Sequence, residues 1–335
     1  MEDIKILKKS NIVDVMVAQA TKQRVDSDAA ENAAKVIKDL AADPNPNNRY
    51  QIGQLIAFAV NEINRNRTNW LDTLADVKRV GFGDKAQFNT KLSGIRAFIQ
   101  AKGATTPRTK IAHKGLMLDT IAVSARPVIN MVELAKGSVN MADLINDAAY
   151  AMELAEYGKI QEVLTTAAAT WAAPYYGAGS GIVKATIDPM IQHWMRLSGG
   201  AQPAIFGDIA VTSKLAAQTG FVATTNTQWA DALVEEQNRA GVIGVYGGAK
   251  VVNLVNPYPD ESDTPVFDTK KLFILPGGLN ADLRPLKVVF EGDVISQEET
   301  HIDDKSYEVR LDQFFNAAIV YGDRPYLSMY ADSST

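Results

Sequence analysis

NMADLINDAAYAMELAEYGKIQEVLTTAAAT, residues 140–170, is the stretch whose reading decides the architecture. Asn140 can cap a helix with Asp143 three residues on, and Met141, Leu144, Ile145, Ala148, Met152, Ala155, Ile160, Val163, Leu164 and Ala167 keep one face apolar. About thirty helical residues at about 1.5 Å each reach roughly 45 Å, more than the width of a small domain. Gly158 is tolerated midway at a cost of about 1 kcal/mol. Such a helix is a spine, and the flanking segments supply what packs on it.

Upstream, residues 11–75 read as helices. Asn11 can cap the first, with Asp14 three residues on, and a second begins near Asp26 to Asp28 and ends before Pro44 and Pro46. In a third, Tyr50, Ile52, Leu55, Ile56, Ala59, Val60 and Ile63 form an apolar face at helical spacing. That face fits plain amphipathic packing, or an N-terminal arm laid on a neighbouring subunit. From about Gly81 to Asn130 the pattern turns extended. Runs at Phe88–Gln100 and Ile111–Val123, joined through Lys102, Gly103 and a Thr-Thr-Pro at 105–107, predict a long two-stranded hairpin. Between Phe88 and Arg126 the cations Lys91, Arg96, Lys102, Arg108, Lys110, Lys114 and Arg126 face Asp119 alone, a local charge of +6. A free two-stranded ribbon is marginal in water, so this basic arm is expected to lie on something else, such as another chain.

Downstream, helix and strand alternate. Asp188 and Pro189 read as a cap and first-turn proline of a helix that stops at Gly199 and Gly200. A strand at Pro203–Phe206, a helix near Asp208, a helix at Trp229–Arg239, and paired strands at Val242–Tyr246 and Lys250–Val255 around Gly247 and Gly248 complete one α/β unit. Strands at Leu272–Leu275, Leu286–Phe290, Ser306–Leu311, Ala317–Tyr321 and Tyr326–Tyr330 are expected to form a sheet under the spine. Glu291, Asp293, Glu298, Glu299, Asp303, Asp304, Glu308 and Asp312 stand against Lys305 and Arg310, a local charge of −6. Pairing of the basic arm with this acidic region between neighbouring copies would steer assembly more than supply affinity; two ordinary solvated faces are the plainer alternative.

Composition narrows the chemistry. The chain has 335 residues, 46% hydrophobic and 22% charged, which is globular and long enough for two or three subdomains. Its net charge of −5 lacks the footprint of a dedicated nucleic-acid binder, so DNA contact is expected to be local and weak. With no cysteine, disulfides, thiolate metal sites and cysteine nucleophiles are excluded. No secretion signal and no apolar run long enough to span a bilayer is read, so a soluble protein made inside the cell is expected. His113, His193 and His301 are scattered, with no partner at metal-ligand spacing. Gly177, Gly179 and Gly181 resemble a phosphate-binding loop, but no strand leads directly into them and no Gly-Lys-Ser/Thr follows, so a turn is preferred. Gly179-Ser180-Gly181 lacks the strand-turn-helix setting of a hydrolase elbow. No catalytic, cofactor or metal residue is assigned, and no cofactor is expected.

The order of these parts resembles the major capsid proteins of tailed bacteriophages that share the Hong-Kong-type shell fold. The loop looks like Phe88–Asn130, the spine like Met141–Thr170, and the axial domain like Ile182 to about Thr269. The ending Tyr307-Glu-Val-Arg-Leu-Asp, then Asn316-Ala-Ala-Ile-Val-Tyr, is similar to the last peripheral strands. The resemblance implies an α+β chain: a helical N-terminal arm at 1–80, an extended hairpin loop at 81–130, and a peripheral domain with the spine at 131–181. An axial α/β domain at 182–269 and returning peripheral strands at 270–335 follow.

It implies a structural subunit forming hexamers and pentamers of an icosahedral head around double-stranded DNA, in the virion, assembled in the host bacterial cytoplasm. Portal, scaffold or decoration proteins are implied partners, and a membrane is not. The short arm, with Met1 present, suggests a separate scaffold or unaided assembly in place of a cleaved N-terminal segment. The lysine–asparagine crosslinking of some relatives maps onto no particular residues here. Lys91, Arg96, Lys102, Arg108, Lys110 and Lys114 of the arm, with Glu298, Glu299, Asp303 and Asp304 of the acidic region, are the candidate intersubunit contacts. Three alternatives stay open: an encapsulin-like nanocompartment shell around protein cargo, a virion accessory protein, and a soluble α/β nucleotide-binding enzyme using the Gly177–Gly181 loop.

Overall fold

A computed structural model describes residues 12–43, 45–68, 71–95, 97–102, 104–218, 244–254, 256–259, 262–301, 306–322 and 324–334. Three helices come first: α1 (12–20), α2 (Ser27–Ala42) and α3 (Pro46–Arg67). The turn α4 (Leu71–Leu74) leads to strands β1 (Asp76–Val80), β2 (Ala86–Ser93), β3 (Ala112–Leu118), β4 (Ile121–Ala125) and β5 (Val128–Asn130). Next are α5 (Met131–Lys136), the spine α6 (Met141–Ala168), β6 (Tyr176–Gly179), α7 (Lys184–Leu197), β7 (Ala204–Gly207) and α8 (Ile209–Thr212). The chain closes with β8 (Val245–Tyr246), β9 (Ala249–Asn253), β10 (Lys271–Leu275), β11 (Leu286–Thr300), β12 (Ser306–Ile319) and β13 (Ser328–Asp332).

The spine starts where its cap predicts: the Asn140 side chain accepts from the Ala142 amide at 3.1 Å, one of the donors a helix start leaves without a partner. Its buried positions, Met141, Ile145, Ala148, Ala149 and Met152, then Tyr157, Ile160, Leu164 and Ala168, repeat at helical spacing and divide between two cores. The first half meets Ile52, Ile56, Ala59 and Ile63 of α3, together with α1, α2 and the Tyr307–Leu311 part of β12. So the N-terminal helices pack on the spine of their own chain. The second half meets Leu286, Val288, Phe290 and Phe315 of one sheet and Phe206, Phe273 and Leu275 of another. One helix thereby ties both sheets to the N-terminal helices.

The first sheet, in order β1-β11-β12-β4 with β5 also on β12, is the peripheral sheet. β1 joins it parallel to β11, Asp76 opposite Lys287, a strand the sequence pattern does not predict. β11 and β12 form a long antiparallel ribbon whose register shifts between Glu291 and Ile295, where Gly292 takes a φ of +65°. Only glycine adopts that conformation cheaply, and the bulge bends the ribbon. The second sheet runs β6-β13-β10-β7-β9-β8 and buries Ile205, Leu272, Ile274 and Tyr330 against Ile187, Met190, Ile191 and Trp194 of α7.

Several expectations are corrected. Leu272–Leu275 and Tyr326–Tyr330 do not lie with Leu286–Phe290 in one sheet. β10 pairs with β7 and β13, because its buried side chains serve the α7 core on one face and the spine on the other. α7 begins a full turn before Asp188, so Pro189 lies inside it and Asp188 is no cap: its carboxylate accepts from the Tyr246 hydroxyl at 3.1 Å. Ile187, fully buried, draws that extra turn onto the sheet. Gly177 and Gly179 are not a turn but belong to strand β6, under α7. A Cβ on Gly177 would lie 2.6 Å from Thr186 Cγ2, and one on Gly179 2.5 Å from Val183 Cγ2. Close helix packing, not a phosphate, requires these glycines. The helix expected at Trp229–Arg239 lies outside the described residues.

Candidate assembly surface

The basic arm is anchored at its root and bare at its tip. β2 and β3 pair antiparallel from Ala86–Leu118 to Ser93–Ala112. Residues 97–102 and 104–111 beyond them form neither helix nor strand, so the paired ribbon is shorter than the sequence predicts. Ile121–Val123 instead joins the peripheral sheet as β4, Phe315 opposite Ile121. At the root, Phe88 is fully buried with Ala86 against Val289 of β11, and the ammonium groups of Lys78 and Lys287 lie 5.0 and 5.8 Å from the Phe88 ring centre.

Two further ties hold the root. Lys85 pairs with Asp119 at 2.8 Å, which engages the acid counted against the arm's seven cations. Glu291 accepts from the Thr120 hydroxyl and, at 2.8 Å, from the Gly83 amide, and these two bonds hold its carboxyl below the usual carboxylate range.

Past Ser93 the described residues of the loop are mostly exposed. Ile95 is 72% exposed, Ile99 is fully exposed, and Phe98 and Ile111 are exposed beside them. Lys91, Lys102, Arg108, Lys110 and Lys114 are exposed on the same arm, while Arg96 lies outside the described residues. Four large apolar side chains on one projecting loop are more than scattered surface residues. Sequence reasoning took them for strand residues and so missed them as a contact surface. The available signal was the occurrence of Ile95, Phe98 and Ile99 between Gly94 and Pro107, with Ile111 just beyond, and no partner run to bury them.

The acidic region is placed differently. Glu299 lies 3.4 Å from Arg126, whose guanidinium also pairs with Glu308, and His301 Nε2 is 3.0 Å from Glu308 Oε1. Asp312 accepts from Arg310 Nε at 2.9 Å and from Ser124, and Asp293 accepts from Asn61 at 3.1 Å. Glu298 turns toward α3, over Gly53, and partial burial raises its carboxyl above the ordinary range. Asp303 and Asp304 lie outside the described residues. The described acids of β11 and β12 thus meet groups of their own chain.

Charge is buried in two places, under the root of the arm and beside the spine. Lys287, fully buried, sits 2.9 Å from Asp76 Oδ2 and donates to the Asp282 carbonyl at 2.8 Å; burial lowers its pKa, and Asp76 opposes that shift. Arg67 bridges from α3 to Glu153 at 3.1 Å and Asn146 at 2.8 Å on the spine. Glu156, one turn on, is fully buried with no hydrogen bond to either oxygen, and burial, with help from Glu153, pushes it up to about 8. Among the described residues no group of three or more His, Asp or Glu could hold a metal ion, and no helix is long and apolar enough to cross a membrane.

A long helix laid across a mixed sheet, a second α/β sheet at one end and a hairpin projecting from the root define the shell-subunit class of fold. Among solved structures of that class, the bacteriophage PhiM1 mature capsid is 12% identical, with a TM-score of 0.51 over 77% of this chain and 85% of that one. The Mycobacterium phage Cain structure is 13% identical, with a TM-score of 0.51 over 78% and 89%. The capsid of an empty GTA particle gives 13%, 0.51, 79% and 89%. No curated protein matches the sequence. The chain belongs to the family described as "SPbeta prophage-derived putative capsid protein YonB", whose pattern matches residues 3–329. It is a capsid protein of phage type, and family and fold together point to a structural role.

Proposed function

We propose that this chain is a major capsid protein whose copies assemble into hexamers and pentamers of a closed shell around double-stranded DNA. The observation that carries the reading is the arm: its root is pinned by Phe88, Glu291 and Lys85, and its tip bares Ile95, Phe98, Ile99 and Ile111 beside five described cations. A chain that spends so many contacts holding a loop away from its own core presents it to another copy. The PhiM1 mature capsid and the capsid of the GTA particle support self-association of the same fold.

Lys91, Lys102, Arg108, Lys110 and Lys114 are the steering charges of this contact, with Arg96 assigned to it from sequence. Glu299, Asp303 and Asp304 are the proposed acidic counterparts, while Glu298 faces its own helix and contributes least. The interior contact with DNA is weak and non-specific, as the net charge of −5 requires. Portal, scaffold or decoration proteins complete a virion put together in the host cytoplasm.

Negative-stain microscopy of the purified protein tests the reading: shells or rings are expected, and a monomer under all conditions would refute it. Reversing Lys102, Arg108 and Lys110 to glutamate is expected to impair assembly while leaving the subunit folded. Normal particles from that triple variant would sink the steering role. Nucleic acid inside particles recovered from infected cells separates this reading from an encapsulin-like shell loaded with protein.

A further inference from the structure

Between α3 and the β1–β11 side of the peripheral sheet lies a cleft of about 400 Å³. Two guanidinium groups border it, Arg65 from α3 and Arg79 from β1. Arg79 donates to the Thr68 hydroxyl at 3.2 Å and lies 4.7 Å from the Phe290 ring centre, while the ion pairs of described arginines belong to Arg67, Arg126 and Arg310. Burial lowers the Arg79 pKa and the neighbouring charge of Arg65 lowers it further, whereas Asp72 and Glu156 oppose the shift. Both arginines are exposed at the mouth of the cleft, and two like charges set side by side there favour an anionic acceptor between them.

Asp72 favours the charged form of Arg79 through its charge, but among the described residues no acid forms an ion pair with Arg65 or Arg79. Asp293 lines the cleft but accepts from Asn61. Glu156 is pushed up to about 8 and is mostly uncharged at neutral pH. A second, independent feature points the same way. Asn64 lines the cleft at 5% exposure, and neither its amide nitrogen nor its oxygen has a hydrogen-bond partner among the described residues. A buried amide without partners is rare and costly, so it marks a place where a polar group from outside is expected.

We propose that this cleft is a socket for an acidic side chain of a second copy of the protein, its carboxylate received by Arg65, Arg79 and the Asn64 amide. The space exceeds what a lone ion fills, and Phe82, 67% exposed at its rim, offers an apolar edge to the segment that carries the acid. The charge fits a second copy as occupant: 39 acids against 34 bases mean that neighbours present carboxylates in excess. Arginine's planar fork suits a carboxylate better than a point charge would. The socket rests on the self-assembly reading and adds to it a contact distinct from the basic arm.

The test begins with the parent protein, scored for particles by sedimentation and negative stain at moderate salt, and continues with Arg65→Glu and Phe82→Ala. Arg65 is exposed on α3, so its reversal should leave the melting temperature of the unassembled subunit unchanged while the assembled fraction falls about tenfold or more. Phe82→Ala should give a smaller loss in the same direction. If the parent forms no assembly, the self-assembly reading fails and takes the socket with it. If the parent assembles and both variants match it, the socket alone is refuted. A density map of the parent particle decides independently of either variant: a neighbour's carboxylate within hydrogen-bond distance of Arg65 and Arg79 supports the proposal. An isolated ion, water, or a side chain of the same copy at that place overturns it.

Discussion

Glu156→Gln is expected to remove a pH dependence that the parent carries at the centre of its spine. The carboxyl is fully buried, neither oxygen has a hydrogen bond, and its pKa rises from 4.5 to about 8, chiefly by burial and secondarily through Glu153, with Arg79 opposing. The folded chain therefore holds this proton more tightly than the unfolded one. The resulting stability is fully present below about pH 4.5 and is lost as pH rises through about 8. At about 1.4 kcal/mol per pKa unit, the shift corresponds to about 5 kcal/mol across the whole window, and to about 3 kcal/mol already lost at pH 7. Glutamine keeps the shape and removes the titration. Thermal melts followed by circular dichroism, on subunits below the assembly concentration, should show the difference between variant and parent growing steadily from pH 5 to 8. The variant becomes several degrees more stable at the upper end. Taking the difference cancels titrations common to both chains, including His193, whose pKa is lowered by burial and by Arg324 and Arg196, and whose contribution is lost in acid. Parallel curves across that range would refute the assignment of a neutral buried acid.

Two further substitutions probe the packing around the site. Asp76→Ala leaves the Lys287 ammonium buried with only the backbone carbonyls near it, and a loss of about 3–5 kcal/mol in denaturant unfolding is expected. The loss should be smaller at pH 9 than at pH 6, because a lysine whose folded pKa is depressed makes stability rise with pH; an equal loss at both values would contradict that. Gly179→Ala places a Cβ 2.5 Å from Val183 Cγ2 and 2.7 Å from the Tyr330 hydroxyl, so α7 must shift and about 1–3 kcal/mol should be lost, against no measurable change if the glycine served a loop.

The spine was legible because three signals agree in it: a capping asparagine, apolar residues at helical spacing, and the absence of proline over 28 residues. α3 was legible from the helical spacing of its apolar residues alone. β1 was not, since five residues reading Asp-Val-Lys-Arg-Val show little alternation, and they become a strand by docking parallel on β11 at long range. Sheet membership was equally hidden. Leu272–Leu275 reads as a buried strand whichever sheet holds it, and only the neighbours Phe206 and Met329 decide. The glycines at 177 and 179 looked like a loop because residue type alone does not separate a positive φ from the close approach of a helix. Of the arm, the sequence shows the charges but not which apolar residues stay uncovered. Ile99 and Phe88 look alike in the pattern, and one is fully exposed while the other is fully buried.

This difference bears on what drives assembly. The +6 arm and the −6 region suggest two free surfaces of opposite charge, yet the two sides are not equivalent in the folded chain. Glu291 is used at the arm's root, Glu299 and Glu308 meet Arg126, Asp312 meets Arg310, and Glu298 is turned inward. Exposed pairs of this kind contribute little stability and exchange readily, so Glu299 can still answer a neighbour's lysine, but only by leaving Arg126. Lys102 and Arg108 are exposed at the tip, and they stand beside apolar side chains whose burial contributes about 25 cal/mol per Å² removed from water. The arm's contact is therefore expected to draw its affinity from Ile95, Phe98, Ile99 and Ile111 and its encounter rate from the lysines. Raising salt should then slow assembly far more than it loosens finished particles.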